Sequence, residues 1–238
     1  IYPDVSAHLA RLGRLFRPQQ YEHSSPHCWR CDTALLNYAQ PSWYIRTTAI
    51  KDQLIAENAK TDWHPGTIRD GRYGDWLENN IDWALSRNRY WGTPLPIWRC
   101  PDEHLTVVES LKELGSLAGQ DLSALDPHRP YVDDGTLPCH CGLTASRVPE
   151  VIDCWYDAGS MPFAQVGYPH SGAELVYPAQ FIAEAIDQTR GWFYTPMAIG
   201  TLGVDKSSYE TVLRPGHILD AEGRKMSKHA RTGLDPHE

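Results

Sequence analysis

The chain reads as an α/β protein built on a parallel layer and interrupted by a metal-bound lobe, and three observations predict this. Near the C-terminal end, "AQFIAEAIDQTRGWFYTPMAIGTLG" followed by "ETVLRPGHILD" runs in the order strand, amphipathic helix, strand. The cysteines gather in close pairs instead of spreading along the chain. The 238 residues, 41% hydrophobic and including 9 tryptophans, suffice to bury a substantial core.

Taken in order, residues 1–27 read as a connecting segment that is polar and poor in aromatics. Residues 28–99 are rich in Trp and Arg, and Ile68, Tyr73, Trp76, Leu77 and Ile81 recur at helical spacing, which predicts a helix over 66–81. "DWALSR" reads as one short strand after it, and Pro94 and Pro96 end the pattern. Residues 100–150 change character, with Leu111, Leu114 and Leu117 on one helix face, then a polar loop and the "CHC" of 139–141, as expected of an inserted lobe. Residues 151–238 carry the strand, helix, strand pattern, within which Pro196 falls inside the predicted helix at a cost of about 3 kcal/mol unless a kink takes it up.

A formal net charge of -8 argues against non-specific coating of nucleic acid, while leaving room for a local cationic patch. No run of about 18 apolar residues exists to span a bilayer, so no membrane partner is expected. The N-terminus lacks a basic-then-apolar leader, which makes the cytoplasm the expected location. A start at Ile1 predicts a piece of a longer chain.

Cys100, His104, Cys139 and Cys141 supply four soft or borderline ligands from two segments, the set that a tetrahedral structural Zn2+ requires. Cys28 and Cys31 in "HCWRC" form half of such a site, with partners expected upstream, or a redox pair, although no thioredoxin-like pattern surrounds them. Cys154, alone in an apolar run, is expected to be a buried, inert thiol. In "AEGRKMSKHARTG", Lys225 and Lys228 stand three apart behind Gly223, so in a helical turn both ammoniums face one side, as a polyphosphate clamp needs.

Five stretches, "CWRCDTALLNYAQPSWYI", "WLENNIDWALSRNRYWGTPLPIW", "DCWYDAGSMPFAQ", "FIAEAIDQTRGWFY" and "GHILDAEGRKMSKH", occur in one order over roughly residues 20–230. Together they resemble the second half of the catalytic domain of a class I isoleucyl-tRNA synthetase, a Rossmann-type parallel-sheet fold. "DCWYDAGS" and "DQTRGWF" favour isoleucine over the valine type. The resemblance implies ATP with Mg2+ as substrate, isoleucine and tRNA as partners, and a remaining parent chain that holds the first half of the catalytic domain, an editing domain and an anticodon-binding domain.

By the same resemblance, Lys228 meets the transition state with Lys225 assisting, and Glu184, Gly216, His217, Met226 and Ser227 contact ATP or the adenylate. Asp187 and Gln188 hold the substrate's ammonium and polar edge, and Asp187 also suits a helix N-cap. Trp155 and Trp192 form apolar walls for a branched side chain. Arg87, Arg89 and Trp91 either engage the tRNA end or make surface cation–π pairs. The sequence departs from the family at Ala185, Pro215 and His229, where Gly, His and Ser are usual, and it lacks the nucleotide motif of the first half. A diverged paralogue and a non-catalytic zinc-stabilised RNA-binding module therefore remain alternatives to an active enzyme, and the chain alone is expected to be inactive.

Overall fold

A computed structural model of the chain describes residues 2–22, 24–28, 31–36, 38–224 and 226. It comprises two units, 1–41 and 42–238. In the first, helix α1 (Tyr2–Arg11) carries Asp4 in its first turn and His8 and Arg11 in its last, in accord with the helix dipole. Further along, the Cys28 N–H donates to Thr33 O (2.9 Å) and the Asp32 N–H to Cys28 O (2.8 Å), closing a turn below the His27–Ala34 bridge.

The second unit opens with β1 (Tyr44–Ile45), α2 (Lys51–Lys60), β2 (Asp62–His64), α3 (Thr67–Asp70), α4 (Arg72–Glu78), β3 (Trp83–Ala84) and β4 (Ser86–Arg87). β5 (Ile97–Arg99), β6 (Leu105–Val107), α5 (Leu111–Ala118), β7 (Thr136–Pro138) and β8 (Thr144–Arg147) follow. β9 (Val151–Ile152), α6 (Cys154–Gly159), α7 (Met161–Ala164), β10 (Ala179–Ala183), α8 (Tyr194–Val204) and β11 (Tyr209–Leu213) complete it.

β10, β11 and β2 form a parallel sheet in that order, with Ala183 opposite Leu213 and Leu213 opposite His64. Leu54, Trp63, Tyr73, Leu77, Phe193, Met197, Tyr209 and Val212 build its core. Each such side chain contributes about 1.5–3 kcal/mol on burial. The tyrosine hydroxyls are satisfied inside: Tyr209 Oη donates to Phe193 O at 2.7 Å, and Tyr73 Oη lies 3.3 Å from Tyr209 Oη. These bonds fix the entry to α8, which sits between two parallel strands.

Several sequence expectations change at this level. α8 is buried all round from Tyr194 to Thr201 and is not amphipathic, because α2 and α6 both pack on it. Pro196 falls in its first turn, where a missing N–H breaks no intrahelical bond. The expected helix over 66–81 is two helices parted at Gly71, where a Cβ would lie 2.7 Å from Thr67 O. Since α4 ends at Glu78, Ile81 stands 72% exposed instead of joining the core. "DWALSR" divides into β3, which pairs with β1, and β4, which pairs with β9. The last predicted strand stops at Leu213.

The antiparallel sheet of 97–147 has the order β6-β5-β8-β7 and encloses Trp98, Val108, Leu114, Val132 and Leu137. α5 closes it. The Ser110 hydroxyl accepts from the Glu113 N–H (3.2 Å), the Glu113 carboxylate accepts from the Glu109 N–H (2.7 Å), and Gly119 ends the helix at φ +68°. Arg147, 7% exposed, binds Asp133 through Nε at 2.6 Å and ties β8 to the loop before β7.

Candidate catalytic cleft and metal centre

Two hairpin tips build the cysteine cluster. Between β5 and β6, the Glu103 N–H donates to Cys100 O (2.9 Å) and the Cys100 N–H to His104 O (3.1 Å). Between β7 and β8, the Gly142 N–H donates to Cys139 O (2.9 Å) and the Cys139 N–H to Leu143 O (2.8 Å), with Gly142 at φ +85°. The tips face each other, and one ligand atom from each of Cys100, His104, Cys139 and Cys141 lies within 4.8 Å of all the others.

The spacing suits a tetrahedral metal. Zinc–sulfur bonds of about 2.3 Å and zinc–nitrogen bonds of about 2.0 Å imply ligand separations of roughly 3.8 Å for S···S and 3.5 Å for S···N. Cys100 Sγ lies 3.8 Å from Cys141 Sγ and 3.5 Å from His104 Nδ1, and Cys139 Sγ lies 3.7 Å from that nitrogen. The thiols are electrostatically unequal. The Cys141 N–H and the neighbouring thiols bring Cys139 down to about 7. At Cys141 the bond from the Leu143 backbone lowers the pKa, but burial and the adjacent Cys139 and Cys100 sulfurs outweigh it and push the thiol up to about 11. Crowded thiolates repel one another, and a bound divalent cation removes that repulsion.

In the first unit, Cys31 Sγ lies 3.2 Å from the Thr33 hydroxyl, which together with Cys28 holds its pKa below the usual thiol value. Cys154 corrects the expectation of a buried thiol: it is exposed. The reason is Asp153 before it, which turns inward to cap α6 through the Trp155 N–H (3.3 Å) and leaves the first helical residue on the outside.

The second candidate site lies at the carboxyl edge of the parallel sheet, where ligands gather in α/β folds. Glu184 directly follows β10, is exposed, and bonds Leu213 O through its N–H at 3.3 Å. Asp187 and Gln188 occupy a 3-10 turn, Ile186–Arg190, whose N-cap is Ala185 and not Asp187. Asp187 instead accepts from Gln188 Nε2 at 3.1 Å, while Gln188 Oε1 accepts from the Trp192 N–H at 2.9 Å. Ala185 sits at φ -69°, a conformation that tolerates its methyl. Gly216 and His217 follow β11 and are exposed, leaving the sheet from the same edge as Glu184 because Ala183 and Leu213 are in register.

Beyond them the Asp220 carboxylate accepts from the Glu222 (3.1 Å) and Arg224 (2.7 Å) N–H groups, and Gly223 adopts φ +76° to close that turn. Met226 is half-buried. Lys225, Ser227, Lys228 and His229 lie outside the described residues.

Trp155, Trp76, Trp83, Tyr44 and Tyr194 line a cavity of about 380 Å³. Trp192 is not in its wall: the indole packs on the parallel core and donates to Ala158 O at 3.3 Å. Arg87 donates to Ala84 O (2.7 Å), Ser86 O (3.0 Å) and Asp153 (2.8 Å), so its guanidinium holds β4 to the start of α6. Trp91 stacks on His128 at 5.0 Å and Arg129 covers Tyr90 at 5.0 Å, while Arg89 is exposed.

Three residues that sequence reasoning passed over organise this region. Asp153, 3% exposed, binds Arg87 and Trp83 together. Arg72 donates to the buried Thr189 hydroxyl at 2.7 Å and so braces the Asp187–Gln188 turn from 117 residues away. No local pattern marks either pairing. Asp220 did carry a signal, the "DAEG" turn signature. Among the described residues, no helix is long and apolar enough to cross a membrane.

Residues 19–238 match the family described as tRNA synthetases class I (I, L, M and V). The chain is 69% identical over 234 residues to an isoleucine–tRNA ligase of Streptomyces coelicolor, covering 96% of this chain and 22% of that one. Similar relatives with the same name occur in Thermobifida fusca (61% identical, 97% and 23% covered) and Clostridium acetobutylicum (49%, 98% and 23%). The chain thus spans about a fifth of the length of the curated relatives it matches.

Proposed function

The chain belongs to the class I tRNA synthetase family, and from that premise we propose that it is the second half of the catalytic domain of an enzyme that activates isoleucine with ATP and loads it on tRNA(Ile). The observation that carries this reading is the continuous identity with isoleucine–tRNA ligases along nearly the whole chain. In this reading 28–99 and 151–238 belong to the catalytic domain, 100–150 is the zinc-binding insertion, and 1–27 is a connecting segment. The first half of the catalytic domain, the editing domain and the anticodon-binding domain lie elsewhere in a cytoplasmic parent chain.

The reaction is attack of the isoleucine carboxylate on the α-phosphorus of magnesium-bound ATP, which expels pyrophosphate and leaves the mixed anhydride. A ribose hydroxyl at the tRNA end then attacks the carbonyl carbon, and AMP leaves. The protein's share is positioning and stabilisation of growing negative charge. Glu184, Asp187 and Gln188 follow strand β10, and in this reading their two carboxylates and amide serve as acceptors for the substrate's ammonium and the adenylate. Gly216 and His217 leave β11 at the same edge, as a nucleotide contact requires. Lys225 and Lys228, with Met226 and Ser227 between them, supply the cations for the phosphates.

Trp155 serves as an apolar wall for the branched side chain in the cavity it lines, whereas Trp192 lies outside that wall. Arg89 and Trp91, exposed beside each other, are the better placed of the expected tRNA-end contacts, with Arg87 acting through the backbone it holds. Cys100, His104, Cys139 and Cys141 would hold Zn2+, which when bound supplies structural cross-linking of the two hairpin tips and no chemistry. Cys28 and Cys31 form a half-site completed upstream.

The test is amino-acid-dependent pyrophosphate exchange by the parent chain across isoleucine, valine and leucine. Exchange with isoleucine, lost on Lys228→Ala, is expected; equal exchange with valine or an unaffected variant would refute the assignment. The 238-residue chain alone should show none.

A further inference from the structure

His140 stands between the two cysteines of the β7–β8 tip and belongs to no ligand set described so far. Its side chain turns back over the cluster. Nδ1 lies 3.7 Å from Cys139 Sγ, and the imidazole packs against His104 with ring centroids 4.2 Å apart and planes at 51°. Those four ligands would complete a tetrahedron around Zn2+, which would leave a fifth nitrogen no coordination position to fill. A set of three thiolates and one neutral imidazole leaves a divalent cation with excess negative charge, and N–H donors aimed at the sulfurs are the usual remedy. Toward a thiolate sulfur, which only accepts, the tautomer that makes this contact carries its proton on Nδ1.

We propose that His140 is a positioning residue of the metal centre: its Nδ1–H donates to the Cys139 thiolate and its ring shields His104 from solvent, so that it slows the release of the bound cation. The inference rests on the reading of Cys100, His104, Cys139 and Cys141 as a zinc site. Its specificity lies in geometry. His128, the lobe's other exposed-loop histidine, is bound instead to Asp126 (2.7 Å) and stacked on Trp91, and so serves as an internal control.

The experiment compares the zinc-loaded wild-type protein with the variants His140→Ala, His140→Asn and His128→Ala, following zinc transfer to a chromogenic chelator and, after cobalt substitution, the thiolate-to-cobalt absorption band. His140→Ala should release metal roughly 10–100-fold faster and shift the band, as expected when an outer-sphere partner of a metal ligand is lost. His140→Asn, which keeps an N–H donor without the ring, should restore the band more than the release rate. His128→Ala should match wild type in both. Unchanged release and an unmoved band in His140→Ala, with one metal still bound per chain, would overturn the inference while leaving the zinc site standing. Failure of the wild type to bind zinc or cobalt would overturn both.

Discussion

Gly200 lies where α8 passes closest to the chain that follows it. A Cβ there would overlap Tyr177 Oη outright and lie 2.6 Å from Lys206 O and 2.7 Å from Ser208 Oγ. Two of these atoms already bond each other: Tyr177 Oη donates to Lys206 O at 2.6 Å and lies 3.1 Å from Ser208 Oγ, which itself donates to Pro196 O at 2.7 Å. Gly200→Ala therefore adds overpacking of about 1–3 kcal/mol and breaks about two hydrogen bonds at about 1 kcal/mol each. Helix propensity returns about 1 kcal/mol. The net loss should be about 2–4 kcal/mol, read as the shift in a urea unfolding curve followed by tryptophan fluorescence. Gly203, one turn on in the same helix, has nothing within 4 Å of a Cβ, so Gly203→Ala should be neutral or stabilise by up to about 1 kcal/mol. Tyr177→Phe in the Gly200→Ala background should recover part of the loss, because it removes the atom most directly overlapped. Equal stability of the two alanine variants would refute the packing argument.

Glu57 is 6% exposed, and burial pulls its pKa up, but the bonds it accepts from Lys60 and from the Ser207 N–H at 2.8 Å outweigh that and hold it below the usual carboxylate value. A depressed folded pKa gives stability that is present above the unfolded value and lost as pH falls through the folded one. Glu57→Ala should thus cost about 1–3 kcal/mol near neutral pH by stranding the Ser207 N–H, and the gap to wild type in thermal unfolding should shrink below about pH 4. Asp153→Ala removes the shared partner of Arg87 and Trp83; since Arg87 is 37% exposed, a cost of about 2–3 kcal/mol in urea titration is expected. If the proposed Zn2+ cross-links the lobe, its chelation should unfold 97–147 ahead of the parallel sheet, seen as a separate early change in Trp98 emission, and a single unaltered transition would contradict the proposal.

What the sequence disclosed followed the locality of each signal. The leucines of α5 lie within one short window, and so does each half of the cysteine cluster. Strand, helix, strand was legible as β10, α8 and β11 for the same reason. α8 misled because a helix between a sheet and two helices is apolar all round, which erases the periodicity that amphipathic reading relies on. The inward Asp153 sent Cys154 outward, and the partners that split "DWALSR" into two strands lie about 40 and 65 residues away, beyond any window-based rule. At the cleft, residue types were readable but their company was not: Trp155 and Trp192 share a motif set yet face different surroundings, and the brace from Arg72 has no trace in local spacing.

The two ends of the cysteine-cluster lobe are paired with each other. The Ile152 N–H donates to Thr93 O at 2.7 Å, the Leu95 N–H to Glu150 O at 3.3 Å and the Val148 N–H to Ile97 O at 2.9 Å. The chain therefore leaves the body of the unit and returns to it as two adjacent strands, in the manner of a cassette joined at a single zipper. A change of length or sequence beyond that zipper should therefore leave the path from β4 to α6 intact, and with it the geometry at the carboxyl edge of the sheet.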